Sequence, residues 1–400
     1  MTYKKRFKND SKRRNAQGGS GNRSASKHKK TKSFDLQRLI SQVKPEVSEP
    51  TMQAEVATTF KELNLDTKLL ELLEKRGFEK PTPIQEGTFK HAIAGRDILG
   101  IANTGTGKTA AFLLPLIQQL LTGKHFETLV VVPTRELAQQ VEKEFVMLTK
   151  GLPFYSVCLI GGTNINTDVK NLRKKNHVII ATPGRLLDLK ARGAVRLQPI
   201  EVLVLDEFDR MLDMGFVRDI QKIIAAMSSR RQTMLFSATL DKTQKQLISD
   251  ILSNPFELKV STGDTVSNRI RQEVIKVGNQ NRMDVLMQLM SDESKRKVLL
   301  FAETKRQVDK LEKKLRAANI SSDLIHGNKT QSHRVRALNK FRSDKIRVLV
   351  ATDVAARGID VAGISHVINF QQPLTEDSYI HRIGRTGRAS DQGVAITLID

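Results

Sequence analysis

The run DILGIANTGTGKTAAFLLPLI, Asp97 to Ile117, decides the fold. Its first third is apolar and short, as in a strand buried on both faces. A glycine-rich turn follows, and the remainder has the length and composition of a helix. Gly105 and Gly107 let the backbone wrap tightly, so that its N–H groups and the helix N-terminus point at phosphate oxygens. Lys108 is placed to reach the outer phosphates of a nucleoside triphosphate, and Thr109 to ligate Mg2+. Ala102 stands where the usual pattern of such loops begins with glycine, but the strand–turn–helix context is intact.

A divalent cation beside Thr109 needs a carboxylate on its other side. The stretch VLVLDEFDRM (Val202–Met211) offers one, because Asp206 and Glu207 follow a buried apolar run with no spacer. Adjacent like charges at such a strand end repel and lose hydration, which a cation offsets. Asp206 is then a metal ligand, partly through water, and Glu207 is the candidate general base.

Outward from these two stretches, short apolar runs alternate with helical patterns. DILGIA, TLVVVP, YSVCLI, HVIIAT, EVLVLD and TMLFSA form one series of strands. RQEVIKV, KVLLFAE, SSDLIHG, IRVLVATD, SHVINF and GVAITLI form a second. This alternation predicts parallel sheets flanked by helices, an α/β fold in two tandem domains. The expected division is a tail over 1–50, a first domain over 51–257, a polar, turn-rich linker over 258–269, and a second domain over 270–400. The segment FDLQRLISQV in the tail reads as a transient amphipathic helix.

The formal net charge is +23. The first 32 residues carry twelve Lys and Arg against one Asp, a net +11, and the rest of the chain is basic too. Such a balance points to a polyanionic partner. The tail is too polar to offset its own chain entropy and is expected to be disordered. With no apolar run of about 20 residues and no secretory leader, a soluble, cytoplasmic monomer is expected. The single cysteine, Cys158, reads as a buried hydrophobe rather than a reactive thiol.

Further stretches follow in a fixed order: GFEKPTPIQ (77–85), PTRELA (133–138), GG (161–162), TPGR (182–185), DEFD (206–209) and SAT (237–239). The second half continues with LLFAET (299–304), HGNKTQSHR (326–334), ATDVAARGID (351–360) and HRIGRTGR (381–388). Together these resemble the DEAD-box RNA helicases of superfamily 2, in a bacterial-type form, over residues 60–400. The resemblance implies RecA-like domains and RNA-stimulated ATP hydrolysis, coupled to local, non-processive unwinding of short RNA duplexes or to remodelling of RNA–protein complexes. It implies ATP as substrate, with Mg2+, cradled by Thr104, Gly105, Thr106, Gly107, Lys108 and Thr109. Gln85 would read the adenine edge, Phe60 would stack on its face and Asp360 would meet the ribose.

By the same resemblance, Arg385 and Arg388 would act as arginine fingers, projecting together from a helical turn. Arg135, Gly162, Thr182, Arg185, Arg334 and Thr352 would hold the RNA backbone without regard to sequence. Ser237 and Thr239 would couple domain closure to strand separation. Ribosomal and RNA-decay complexes are candidate partners. An ATP-binding RNA clamp and a DNA translocase share parts of this pattern. Two departures stand out: Phe208 replaces the family's common Ala, and the chain stops at Asp400, where relatives usually have another helix.

Overall fold

Among the described residues, thirteen strands, all in parallel register with their neighbours, make up two sheets. A computed structural model describes Leu36 and residues 59–103, 105–124, 127–240, 242–260, 270–356, 361–387 and 392–400. In the first sheet the strands are β1 (Ile98–Ala102), β2 (Glu127–Val131), β3 (Ser156–Leu159), β4 (Val178–Ala181), β5 (Ile200–Leu205), β6 (Gln232–Ser237) and β7 (Phe256–Val260). They lie in the order β3-β4-β2-β5-β6-β1-β7. The second sheet contains β8 (Ile270–Lys276), β9 (Val298–Phe301), β10 (Ser322–Ile325), β11 (Val348–Ala351), β12 (His366–Asn369) and β13 (Gly393–Ile399), ordered β10-β11-β9-β12-β13-β8.

The near-continuous apolar runs read from the sequence are buried on both faces, as parallel sheets require. Val204 and Phe236 face one layer of helices; Leu203, Leu205 and Leu235 face the other. Helix starts are set locally. Thr134 Oγ1 accepts from Leu137 N at 3.3 Å at the head of the helix Arg135–Leu148. Thr304 and Gln307 close a reciprocal cap on Lys305–Ala317.

The strand order explains where the sequence motifs meet. In a parallel sheet, loops after adjacent strands share one edge. β5, β6 and β1 are neighbours, so DEFD, SAT and the glycine-rich turn emerge side by side. β3, β4 and β2 are likewise neighbours, which gathers GG, TPGR and PTRELA on the other half of that edge.

One expectation needs correction. Leu258–Val260, assigned to the linker, are the end of β7, held in register by Gly100–Ala102 of β1. Lys259 and Glu257 alternate outward there, and this polarity disguised an edge strand as a turn-rich stretch. Leu36, within the segment read as an amphipathic helix, is helical and buried with Ile270, Tyr379, Ile383 and Ala395 of the second domain. The rest of the tail and residues 261–269 of the linker lie outside the described residues. Among the described residues no helix is long and apolar enough to cross a membrane.

Candidate nucleotide site and nucleic-acid groove

The turn after β1 is shaped by two left-handed residues, Gly105 and Gly107, at φ +86° and +87°. A Cβ on Gly107 would collide with the Gln85 amide, so glycine is needed there for space as well as for conformation. Gln85 itself is buried. Its Nε2 donates to Gly107 O at 3.1 Å, and its Oε1 accepts from Thr82 N at 3.0 Å within the cap of the helix Pro83–Ile93. The amide assigned to adenine therefore braces the phosphate loop. Phe60 packs edge-on to Phe78 and is 4% exposed; stacking on a base would require it to leave that packing.

Lys108 opens the helix Lys108–Leu121, with its ammonium turned back to Ala102 O at 2.5 Å. Burial lowers its pKa, opposed by the carboxylates of Asp206, Glu207 and Asp209. Thr109, next in the helix, is half-buried.

The three carboxylates of DEFD fare differently. Asp209 is satisfied: its Oδ2 accepts from Ala238 N, Thr239 N and Thr239 Oγ1 at 3.1–3.2 Å, and its Oδ1 accepts from Arg210 N at 3.0 Å. Ser237 Oγ joins this network by accepting from Asp209 N and donating to Thr239 O. Glu207 pairs with Arg210 at 2.5 Å and holds a left-handed backbone at φ 53°, which is uncommon for a side chain of its kind. Asp206 is 2% exposed, and its carboxylate accepts a hydrogen bond from Glu207 N. Burial, then the Glu207 charge, pushes it up to about 7.

Asp206 thus has lone pairs to spare and a charge poorly offset, which fits an oxygen-ligated cation. Among the described residues no three His, Cys, Asp or Glu side chains converge as a metal cage. A hydroxyl, one carboxylate, phosphates and water make the donor set that Mg2+ accepts.

On the other half of the edge, the Arg135 guanidinium lies against Gly161 and Gly162, where any Cβ would crowd it. Burial and the nearby Arg334 lower the Arg135 pKa. Arg185 pairs with Asp168 at 2.5 Å and donates to Thr163 O at 2.9 Å. Thr182 and Thr352 directly follow β4 and β11, and both are buried. Arg334 crosses from the second domain to Glu136 at 2.8 Å, and Gln331 Nε2 donates to the same carboxylate at 3.2 Å. A groove of about 950 Å³ opens beside this pair. Gly162, Thr163 and Asn164 line one wall; Arg336, Lys340 and Lys345 line the other. Sequence reasoning took Arg334 and missed Gln331, although the i, i+3 spacing puts both on one helix face.

Arg385 is buried, with Nε donating to His381 O at 3.1 Å. The helix Glu376–Ile383 ends before it, capped at Gly384, and in the turn that follows Arg385 N and Thr386 N donate back to Arg382 O and Ile383 O at 3.1 Å. Arg382, which the sequence did not single out, is the structural arginine of that motif. It meets Asp353 through Nε and Nη2 at 2.5 and 2.6 Å, and Asn369 at 3.1 Å. Thr104, Asp360 and Arg388 lie outside the described residues. Cys158 is half-buried, and burial raises its thiol pKa, as expected of an unreactive side chain.

Residues 82–247 match the DEAD/DEAH box helicase family, and residues 281–390 match the helicase conserved C-terminal domain. The chain is 43% identical over 343 residues to the DEAD-box ATP-dependent RNA helicase CshA of Bacillus cereus, covering 86% of this chain and 65% of that protein. Its counterpart in Geobacillus kaustophilus is 40% identical, with 86% and 73% covered. The chain therefore spans just under two thirds of the Bacillus relative's length. Among solved structures, S. cerevisiae Dbp5 bound to RNA and ADP BeF3 is similar at a TM-score of 0.74 and 30% identity, with 86% and 89% covered. Mss116p bound to ssRNA and AMP-PNP is similar at 0.75 and 28%, with 88% and 76% covered. With its motifs side by side on one sheet edge and relatives alike over most of its length, this chain belongs to the DEAD-box helicase family.

Proposed function

We propose that the protein is an RNA-stimulated ATP hydrolase that couples turnover to local, non-processive separation of short RNA duplexes or to remodelling of RNA–protein complexes. The observation that carries this reading is a site divided between domains. Lys108, Thr109, Asp206 and Glu207 lie on the first domain, and Arg334 and Gln331 of the second clasp Glu136 beside a basic groove.

In this reading the turn Thr104–Thr109 cradles the phosphates, and Lys108 swings from Ala102 O to the outer phosphates. Thr109 and Asp206 would hold Mg2+, which would neutralise phosphate charge. Glu207 accepts a proton from the attacking water. Arg385 and Arg388 turn toward the transferred phosphate when the domains close, an effect of roughly 10³–10⁵ in rate. Phe60, Gln85 and Asp360 fix the nucleoside.

RNA lies along the groove, held by Arg135, Gly162, Thr182, Arg185, Arg334 and Thr352, largely through phosphates. Contacts to the 2′-OH select RNA over DNA. Ser237 and Thr239 pass closure to the carboxylate end through Asp209. The protein works as a cytoplasmic monomer, with ribosomal or RNA-decay complexes as its setting.

Steady-state ATPase measured without nucleic acid, with RNA and with single-stranded DNA tests the reading. RNA should stimulate and DNA should not. Equal stimulation by DNA would make the protein a DNA translocase, and no phosphate release at saturating RNA would make it a clamp.

A further inference from the structure

Beyond the groove, the first domain carries a second basic surface that lies outside the motif stretches. It begins at the helix Ile165–Leu172, whose N-cap, Asn164, lines the groove wall. Ile165, Val169 and Leu172 pack toward the core, so the helix turns Asn166, Thr167 and Lys170 to solvent. Arg173, Lys174 and Lys175 continue from its last turn, all exposed. Between 161 and 176 the one acid is Asp168, which is buried and paired with Arg185. Lys170, Arg173, Lys174 and Lys175 form no ion pair among the described residues.

The surface ends at an aromatic ring. Tyr155 directly precedes β3, the edge strand of the first sheet. Its carbonyl accepts from His177 N at 2.8 Å, and its own N–H donates to His177 Nδ1 at 3.1 Å. Lys175 lies two residues upstream of His177, so ring and cations share one end of the sheet. The Tyr155 side chain is the only exposed Phe or Tyr among the described residues, at 55%. An aromatic left in solvent beside unpaired cations suits single-stranded nucleic acid: the ring stacks a base while the cations meet phosphates.

We propose that this face is a second RNA-binding track, which takes the single strand as it leaves the groove and leads it along the helix Ile165–Leu172 to Tyr155. That helix has eight residues and is about 12 Å long, so a few nucleotides bridge its two ends. Lys170, Arg173, Lys174 and Lys175 neutralise phosphates, and Tyr155 stacks one base without reading its edge. An acidic protein segment would satisfy the cations without needing an isolated ring, so the chemistry favours a polyanion that carries π-faces. The track rests on the RNA binding proposed above and extends its footprint beyond the groove.

Equilibrium binding of two labelled single-stranded RNAs to the full chain tests the track, one short enough to fill only the groove and one running past it. Lys170→Ala with Lys174→Ala and Lys175→Ala should weaken the longer RNA by at least about tenfold and leave the shorter within about twofold. With three contacts gone, the logarithmic salt slope of the longer RNA should fall by about 2. Tyr155→Ala should cost the longer RNA about fivefold or more, and Tyr155→Phe should restore it. Lys310→Ala with Lys313→Ala and Lys314→Ala removes equal charge from the exposed face of a helix in the second domain, and should bind like the parent. Equal weakening by this control, or equal weakening of both RNAs, would reduce the effect to net charge and overturn the track. Parent-like binding of the longer RNA by either the lysine variant or Tyr155→Ala would overturn it too, leaving the face to a protein partner. A parent that binds neither RNA would refute the function proposed above and the track with it, so the parent's hold on the shorter RNA separates the two failures.

Discussion

Arg334 of the second domain lies 2.8 Å from Glu136 of the first, both side chains nearly buried. A buried pair whose partners come from separate domains holds them together only while both charges are present. Removing one strands the other in a dry site, at a cost of about 3–5 kcal/mol. Glu136→Ala should therefore weaken closure. The RNA concentration for half-maximal ATPase should rise at least about tenfold, with RNA-free turnover little changed. Titration of RNA against ATPase rate checks this.

Lys108→Ala should abolish hydrolysis, since the loop then lacks its only ammonium. Glu207→Gln should slow turnover by about 10²–10⁴ while keeping ATP and RNA bound together. Filter binding of labelled RNA with ATP, before and after a long chase, distinguishes a trapped complex from an inert protein.

Asp209 accepts hydrogen bonds from Ala238, Thr239 and Arg210. Asp209→Ala leaves those donors unsatisfied, at about 1–3 kcal/mol, and should lower the first domain's thermal midpoint. Thr239→Val is milder, removing one of those donors. It should retain at least about half the RNA-stimulated ATPase and lose most duplex separation, read with a short labelled duplex. Parallel loss of both would mean that the network serves the chemistry itself.

Burial raises the Asp206 pKa to about 7, against about 4 in an unfolded chain. Between those values the folded protein holds a proton that the unfolded chain has released. In metal-free buffer, stability should fall as pH rises from about 4 to about 7 and level off above that. Mg2+ with a non-hydrolysable nucleotide should remove much of this slope by stabilising the charged carboxylate. Thermal melts with and without Mg2+ across that window read the sign directly.

The first 32 residues carry a net +11. Their deletion should weaken RNA binding and flatten its dependence on salt. On single strands the logarithmic slope should drop by about 0.7 for each phosphate that the arm no longer neutralises. Basal ATPase should be unaffected.

The sheets were legible because parallel strands buried on both faces have to be apolar runs, and VLVL or LVVV cannot be mistaken for surface. β7 was not, because an edge strand exposes every second residue and FELKV looks like a connection. In the candidate nucleotide site, residue types at fixed spacing pointed to Lys108, Thr109 and the Asp206–Glu207 pair, which the strand order brings to one sheet edge. Which side chains those residues meet is a matter of tertiary neighbours. Gln85 bracing the loop, Arg210 pairing with Glu207 and Arg382 bonding Asp353 all join stretches or side chains that the sequence presents separately. The seat of Leu36 was not legible either: FDLQRLISQV reads as an amphipathic helix, but nothing in it says that Ile270 and Tyr379 cover its leucine.

Glu207 keeps a backbone conformation that glycine would occupy at less cost. Replacing it by glycine would relax the turn but leave the buried Arg210 guanidinium without its carboxylate, a loss of about 3–5 kcal/mol that outweighs the relief. Laboratory evolution for heat resistance, with no demand for turnover, would therefore keep the carboxylate and its strained turn.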